Sequence, residues 1–399
     1  MTPQPGAERE LYRRALRVTP FAAQTFSRKY PTVGTDQFPA FASDARGAYL
    51  WTSDGTKYID LAGANATAPL GFNHPAVQEA VIAEARRCGT LSLPTALEVE
   101  VSEAMVAAVP FAEQVRWVRT GSEAVSGAVT TARRATGRHR VIVFTGNYHG
   151  WHPWTGDDHS RILVEAGAEL LVEGMPFHAA GLCDAAAVIV EPPRMAPITP
   201  AYRAWLRSLR EECTSASTVL VYDDVVWGFR FATGGLQEET GVQPDIACFS
   251  KALGNGIPVG CLAGTKAVMA DTPVSSTFGG ERLGLAAASA VLAIHFEREV
   301  CEDLARVGVR LRGMLDEAVT DTPIEIYGTP LHFRFQLRDS AYRDAVGDRR
   351  RHIFNMFLNG CLDERLLVHR AANNVSLAMD DTIVLARISH AVKTAAQGL

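Results

Sequence analysis

Lys251 follows the apolar run Ile246-Ala247-Cys248-Phe249 and precedes the glycine-rich stretch Gly254-Asn255-Gly256. A lysine at the edge of a buried strand is poorly solvated. Partial desolvation favours the neutral amine, and a neutral amine attacks carbonyls to form a Schiff base. Upstream, Asp223 closes a second apolar run, Thr218-Val219-Leu220-Val221-Tyr222. A lysine that holds an aldehyde and an aspartate that keeps a pyridinium nitrogen protonated are the pair that pyridoxal 5'-phosphate (PLP) chemistry needs.

Other residues fall into the same pattern. Gly121-Ser122-Glu123 opens a helical stretch in which Ala124, Ala128 and Ala132 recur every four residues, and Gly137 is placed to cap it. Free N–H groups and a hydroxyl at a helix start suit a phosphate, although the same residues also read as an ordinary serine cap. The strand-like Arg140-Val141-Ile142-Val143-Phe144 leads to Tyr148, which could lie flat on a planar cofactor or simply cover the core. His149 and His152 have the spacing of a metal pair but no third ligand nearby, so no metal is expected. Glu191 ends the apolar run Ala186-Ala187-Val188-Ile189-Val190. Tyr148, Glu191, Asp223 and Lys251 each fall just beyond a predicted strand, and ligands of open α/β sheets bind outside the carboxyl ends of strands. Thr277, in Thr277-Phe278-Gly279-Gly280, offers a further hydroxyl for a phosphate. Gly254-x-Gly256-x-x-x-Gly260 has the wrong spacing for a dinucleotide fingerprint and precedes a strand-like run, which disfavours a nicotinamide dehydrogenase.

These positions need elements to hold them. Asp54-Gly55, between aromatic and β-branched flanks, predicts a hairpin over 47–60. From about 75 to about 290 strand and helix patterns alternate, as in a parallel sheet covered on both faces. A helix around 284–319, strands near 324–337, a helix near 348–360 and a terminal helix from about 380 follow. The expected division is an N-terminal arm and hairpin (1–55) packing with the small domain, a large PLP-binding domain (56–293) and a C-terminal α+β small domain (294–399). The 399 residues are 47% hydrophobic, ample for such a core, and the net charge of −5 comes with no basic tract for nucleic acid or an anionic membrane. The start of the chain lacks a secretory pattern, no apolar run spans a bilayer, and the seven cysteines are scattered with no Cys-x-x-Cys pair. A cytoplasmic location with reduced thiols is expected.

In order along the chain, Gly47-Ala48-Tyr49-Leu50-Trp51, Leu70-Gly71-Phe72-Asn73-His74-Pro75, Arg119-Thr120-Gly121-Ser122-Glu123-Ala124, Tyr148-His149-Gly150, Val190-Glu191-Pro192, Tyr222 to Arg230, Phe249 to Gly256 and Ser276 to Glu281 carry a resemblance. They resemble the class III aminotransferases of the fold-type I PLP superfamily, in particular glutamate-1-semialdehyde aminomutase and the aminotransferases of carbohydrate and secondary-metabolite biosynthesis. The resemblance implies an α/β fold with a mostly parallel seven-stranded sheet and a smaller α+β domain. It implies that Lys251 is the Schiff-base lysine and proton shuttle and that Asp223 pairs with the pyridinium nitrogen. Val225 and Tyr148 would cover the two ring faces, with Glu191 beside them. Gly121 and Ser122 would hold the phosphate, with Thr277 reaching it from the neighbouring subunit of a homodimer with shared active sites. Trp51 and Asn65 are the expected substrate contacts.

Departures from the family pattern bear on the reaction. Asp223-Asp224-Val225 stands where Asp-Glu-Val is usual. Pro192-Pro193-Arg194-Met195-Ala196 lacks the second acid with which ω-aminotransferases accommodate 2-oxoglutarate. Asn65 occupies the position of an aminomutase tryptophan, and the segment between Gly150 and Asp184 is shorter than an aminomutase gate. The leading expectation is therefore an aminotransferase acting on a small or medium carbonyl compound, such as an amino-sugar or secondary-metabolite intermediate. An intramolecular aminomutase is the alternative. A non-catalytic PLP-binding regulator is disfavoured, because no basic helix-turn-helix stretch accompanies Lys251.

Overall fold

The computed structural model describes residues 7–28, 41–152, 168–171, 179–338 and 348–399. The chain divides into two compact units, Met1–His74 with Glu302–Leu399, and Pro75–Cys301. In the first unit, strands β1 (Ala42–Arg46), β2 (Tyr49–Thr52) and β3 (Lys57–Asp60) form an antiparallel meander. The expected hairpin turn is present. Gly55 sits at φ +82°, its N–H donates to the Thr52 carbonyl at 2.9 Å, and Asp54 Oδ1 accepts from the Thr56 N–H at 3.0 Å. Glycine supplies the left-handed backbone and aspartate the local acceptor.

The second unit is built on a seven-stranded sheet. Its strands are β4 (Gln114–Val118), β5 (Arg140–Phe144), β6 (Ala168–Leu171), β7 (Ala185–Val190), β8 (Val219–Asp223), β9 (Ile246–Phe249) and β10 (Gly260–Gly264). The spatial order is β4-β10-β9-β8-β7-β5-β6. β10 runs antiparallel to both of its neighbours, and every other pair is parallel. All residues of β7, β8 and β9 are buried, as expected for strands covered on both faces. The helix Gly121–Thr136 packs Ala124, Ala128 and Ala132 into this core beside Val141, Ile189 and Val221. It ends where Gly137 adopts φ +68° and donates back to the Arg133 carbonyl.

The first unit is completed by β11 (Ile324–Gly328), β12 (His332–Leu337), β13 (Leu366–Leu367) and β14 (Asn373–Asn374), with helices Asp348–Asp363 and Thr382–Gln397. β13 adds to β3, and β12 lies between β11 and β14. The single helix expected around 284–319 is two, Arg282–Glu297 and Val300–Ala318. Arg298 turns extended between them at φ −154°, with no glycine or proline to mark the break. The segment between Gly150 and Asp184 lies mostly outside the described residues, as do residues 29–40 of the N-terminal arm. No helix among the described residues is long and apolar enough to cross a membrane.

Candidate active site

The loops at the carboxyl ends of β5, β7, β8 and β9 enclose a cavity of about 180 Å³. Six of the residues singled out from the sequence as cofactor contacts line it with Lys251: Gly121, Ser122, Tyr148, Glu191, Asp223 and Val225. Asp223 is the last residue of β8 itself, one place earlier than expected.

Asp223 is almost fully buried and its carboxylate is held from two sides. Oδ2 lies 2.8 Å from His149 Nδ1, and Oδ1 accepts the Val225 N–H at 3.2 Å. Since a carboxylate accepts, the imidazole proton belongs on Nδ1. His149 Nε2 is buried with no hydrogen-bond partner among the described residues. His149 Nδ1 is thereby committed to Asp223. His152 instead stacks on Trp151 at 4.8 Å.

Glu191 is buried beside it. It accepts the Tyr148 N–H at 2.8 Å and meets Arg194 Nε at 3.1 Å, while its own N–H donates to Asn147 Oδ1 at 3.0 Å. Burial raises its carboxyl above the usual range, and Arg194 opposes that rise. The Tyr148 ring is 56% exposed at the cavity rim, which leaves a face open to a planar ligand.

Lys251 begins a short 3-10 turn with φ +42°, a left-handed conformation that costs a residue with a side chain on the order of 1–3 kcal/mol. The preceding Ser250 anchors the turn, donating from Oγ to the Val259 carbonyl at 2.7 Å. Dense packing around the Lys251 amine pushes it down from 10.5 to about 8; Glu191 and Asp223 resist that shift and Arg194 adds to it. An amine so placed is still mostly protonated at neutrality, but its uncharged fraction is far larger than that of a free lysine.

At the other end of the cavity the helix Gly121–Thr136 starts with a capping box. Thr120 Oγ1 accepts the Glu123 N–H at 3.2 Å, and Glu123 Oε2 accepts the Thr120 N–H at 2.9 Å. The Gly121 and Ser122 N–H groups are left with no acceptor inside the helix. Both glycines of this cradle are sterically required. A Cβ on Gly121 would stand 2.6 Å from a Val225 methyl, and one on Gly150, at φ +104°, would stand 2.4 Å from Ser122 Oγ. Backbone donors at a helix N-terminus, a buried carboxylate and a lysine whose proton burial loosens, in one cavity, fit the phosphate, ring nitrogen and aldehyde of PLP.

Three expected site residues stand elsewhere. Thr277 lies on an exposed turn and does not line the cavity; the neighbouring Phe278 ring packs near Arg119 at 5.8 Å, and Arg119 pairs with Glu281 at 3.1 Å. Trp51 and Asn65 belong to the other unit. The Trp51 ring centroid lies 6.3 Å from that of Tyr49 on β2 and 5.2 Å from the Lys57 ammonium. Asn65 has φ +60° and donates from Nδ2 to Ser27 Oγ at 3.0 Å. Asp224, the departure from the usual glutamate, is fully buried and accepts the Leu236 N–H at 2.9 Å. Burial raises its carboxyl well above the usual range. Sequence reasoning missed Arg194, whose only signal was its place three residues after Glu191.

Comparison with known proteins agrees with the expected family and fold. The family model for class III aminotransferases matches residues 30–154 and 175–332. Glutamate-1-semialdehyde 2,1-aminomutase of Bordetella avium is 34% identical, covering 96% of this chain and 97% of its own. The enzyme of the same name from Methanothermobacter thermautotrophicus is also 34% identical, over 82% of each chain. Among solved structures, the PLP-bound FumI protein of a Sphingopyxis species superposes with TM-score 0.86 at 25% identity, covering 99% of this chain and 96% of that one. An omega-transaminase from Sphaerobacter thermophilus gives TM-score 0.82 at 25% identity and 98% coverage of both chains.

Proposed function

Since the chain belongs to the class III aminotransferases, a PLP-dependent family of fold-type I, we propose that it is an aminotransferase that moves an amino group to or from a small or medium carbonyl compound. An amino-sugar or secondary-metabolite intermediate is the substrate class proposed. The observation that carries the reading is the single cavity into which Lys251 and the His149–Asp223 pair both face. Bound PLP supplies an aldehyde that condenses with amines and a ring that draws electrons from the carbon attached to the nitrogen. Gly121 and Ser122 would receive its phosphate, Tyr148 and Val225 its two faces, and Asp223 its ring nitrogen. His149 holds the Asp223 carboxylate in place by donating to it. Lys251 Nζ, whose proton burial loosens, takes up a proton from the substrate carbon and returns it. Thr277 of a second copy would complete the phosphate cup in a homodimer with shared sites, and the proposed compartment is the cytoplasm.

An aminomutase is the second reading, favoured by the names of the 34%-identical relatives. Asn65 and the shorter 150–184 segment support the first. Mixing the holoenzyme with candidate amines and no acceptor separates them. An aminotransferase stops after releasing one carbonyl product per site, with the cofactor spectrum moved to its amine form. Continuous conversion of glutamate-1-semialdehyde to its isomer, with no carbonyl released, would overturn the aminotransferase reading.

A further inference from the structure

The unit that contains residues 302–399 has a second cavity, of about 480 Å³, with four arginines in its wall: Arg334, Arg350, Arg351 and Arg370. They come from three places. Arg334 projects from β12, Arg350 and Arg351 lie in the first turn of the helix Asp348–Asp363, and Arg370 follows β13. Phe335 and Phe354 complete the wall. The Arg370 guanidinium lies 5.3 Å over the Phe354 ring and donates to Asn355 Oδ1, while Arg334 donates to Gln336 Oε1 at 3.2 Å.

Three of these arginines, Arg334, Arg351 and Arg370, differ from others in the unit. Arg310 and Arg312 each have an aspartate within 4 Å, at 3.7 and 2.9 Å. Among the residues whose side chains are described, a set that does not include Asp348, no carboxylate stands that close to Arg334, Arg351 or Arg370. Arg370 holds its proton less tightly than a free arginine, because it is partly buried and because Arg351 is near. Arg349, Arg350 and Arg351 also stand in the first turn of a helix, after Asp348, at its positive end, where cations are disfavoured. An anion with several charged oxygens would gain forked hydrogen bonds from this arrangement and relieve the repulsion.

We propose that this pocket binds a small molecule carrying a phosphate or diphosphate group, separately from the PLP phosphate cup. Its volume lies within the range of small-molecule sites and exceeds the need of a lone phosphate.

The test is calorimetric titration of the PLP-saturated enzyme with pyrophosphate, so that the cofactor cup does not report. Inorganic phosphate and citrate are run as comparators, and binding of one pyrophosphate per chain is expected. Arg351→Ala and Arg370→Ala should each weaken it by about tenfold, and Arg351→Lys by less, because lysine keeps the charge but loses the fork. Arg306→Ala, outside the pocket, should leave it unchanged. The proposal is overturned if the wild type binds no pyrophosphate. It is equally overturned if citrate binds as tightly as pyrophosphate, or if Arg306→Ala weakens binding as much as Arg351→Ala.

Discussion

The two cavities treat charge in opposite ways. In the 180 Å³ cavity, each buried acid has a partner: Asp223 has His149 at 2.8 Å, and Glu191 has Arg194 at 3.1 Å. The remaining cation, Lys251, is pushed towards neutrality. In the 480 Å³ cavity, the guanidinium groups of Arg334, Arg351 and Arg370 have no carboxylate within 4 Å among the residues whose side chains are described. The first arrangement is settled before any ligand arrives, which suits proton transfer at a fixed atom. The second is settled only by a ligand. Preorganised charge and unpaired charge therefore mark a candidate chemical site and a candidate binding site within one chain.

The largest test of this contrast is Lys251→Ala. Removing the one side chain in the cavity that both joins the aldehyde and moves the proton should lower turnover by about 10⁴-fold while cofactor still binds. Purified variant with normal turnover would end the assignment. Asp223→Ala should come next, with proton abstraction about 10²-fold slower in single turnovers and little change in substrate affinity. His149→Phe removes only the group that orients Asp223, so its effect should be smaller, roughly tenfold, and confined to the same step. Equal losses in His149→Phe and Asp223→Ala would mean that the pair acts as a unit. The proposed sharing of sites adds a mixing experiment. A Thr277 variant inactive through lost cofactor binding, exchanged with Lys251→Ala, should regain activity in mixed dimers, and no recovery despite verified exchange would exclude a shared cup.

How much of this could be read from the chain follows from where each residue gets its meaning. Lys251, Asp223 and Glu191 were legible because a charged side chain at the end of a fully apolar run is conspicuous, and α/β sheets collect ligands at that end. The alternation over 75–290 and the hairpin at Asp54-Gly55 were legible from local backbone chemistry. His149 was visible, yet its partner was not, because Asp223 joins it only through the packing of β8 against the loop after β5. The break at Arg298 escaped because the apolar period continues across it. The arginine pocket escaped for the same reason as the His149 pairing: Arg334, Arg351 and Arg370 are distant in sequence, and only the fold assembles them.

Lys251 also makes a prediction about stability. Its native value of about 8 lies below the 10.5 of the unfolded chain. Between these values the unfolded state binds the proton that the native state has released, so stability rises with pH across that window and the penalty is complete below it. In cofactor-stripped enzyme, Lys251→Met should exceed wild type most below pH 8, and that advantage should shrink by about 3 kcal/mol by pH 10.5. Urea melts across the range measure it, and a pH-independent difference would show that the amine is not desolvated.

The smallest effect belongs to the other cavity and has the opposite dependence on conditions. Arg351 is exposed, sits at the positive end of its helix and repels Arg370. Arg351→Gln should therefore stabilise the ligand-free chain by about 0.5 kcal/mol at low ionic strength. Salt screens exposed charges over about 10 Å at 0.1 M, so the gain should fade as salt is raised. The Lys251→Met advantage comes from desolvation and should not fade with it. Pyrophosphate should reverse the sign for Arg351→Gln, because wild type then gains binding energy that the variant lacks. If the Arg351→Gln gain persists unchanged in high salt, then helix propensity and not charge is its cause, and the contrast between the two cavities loses its electrostatic basis.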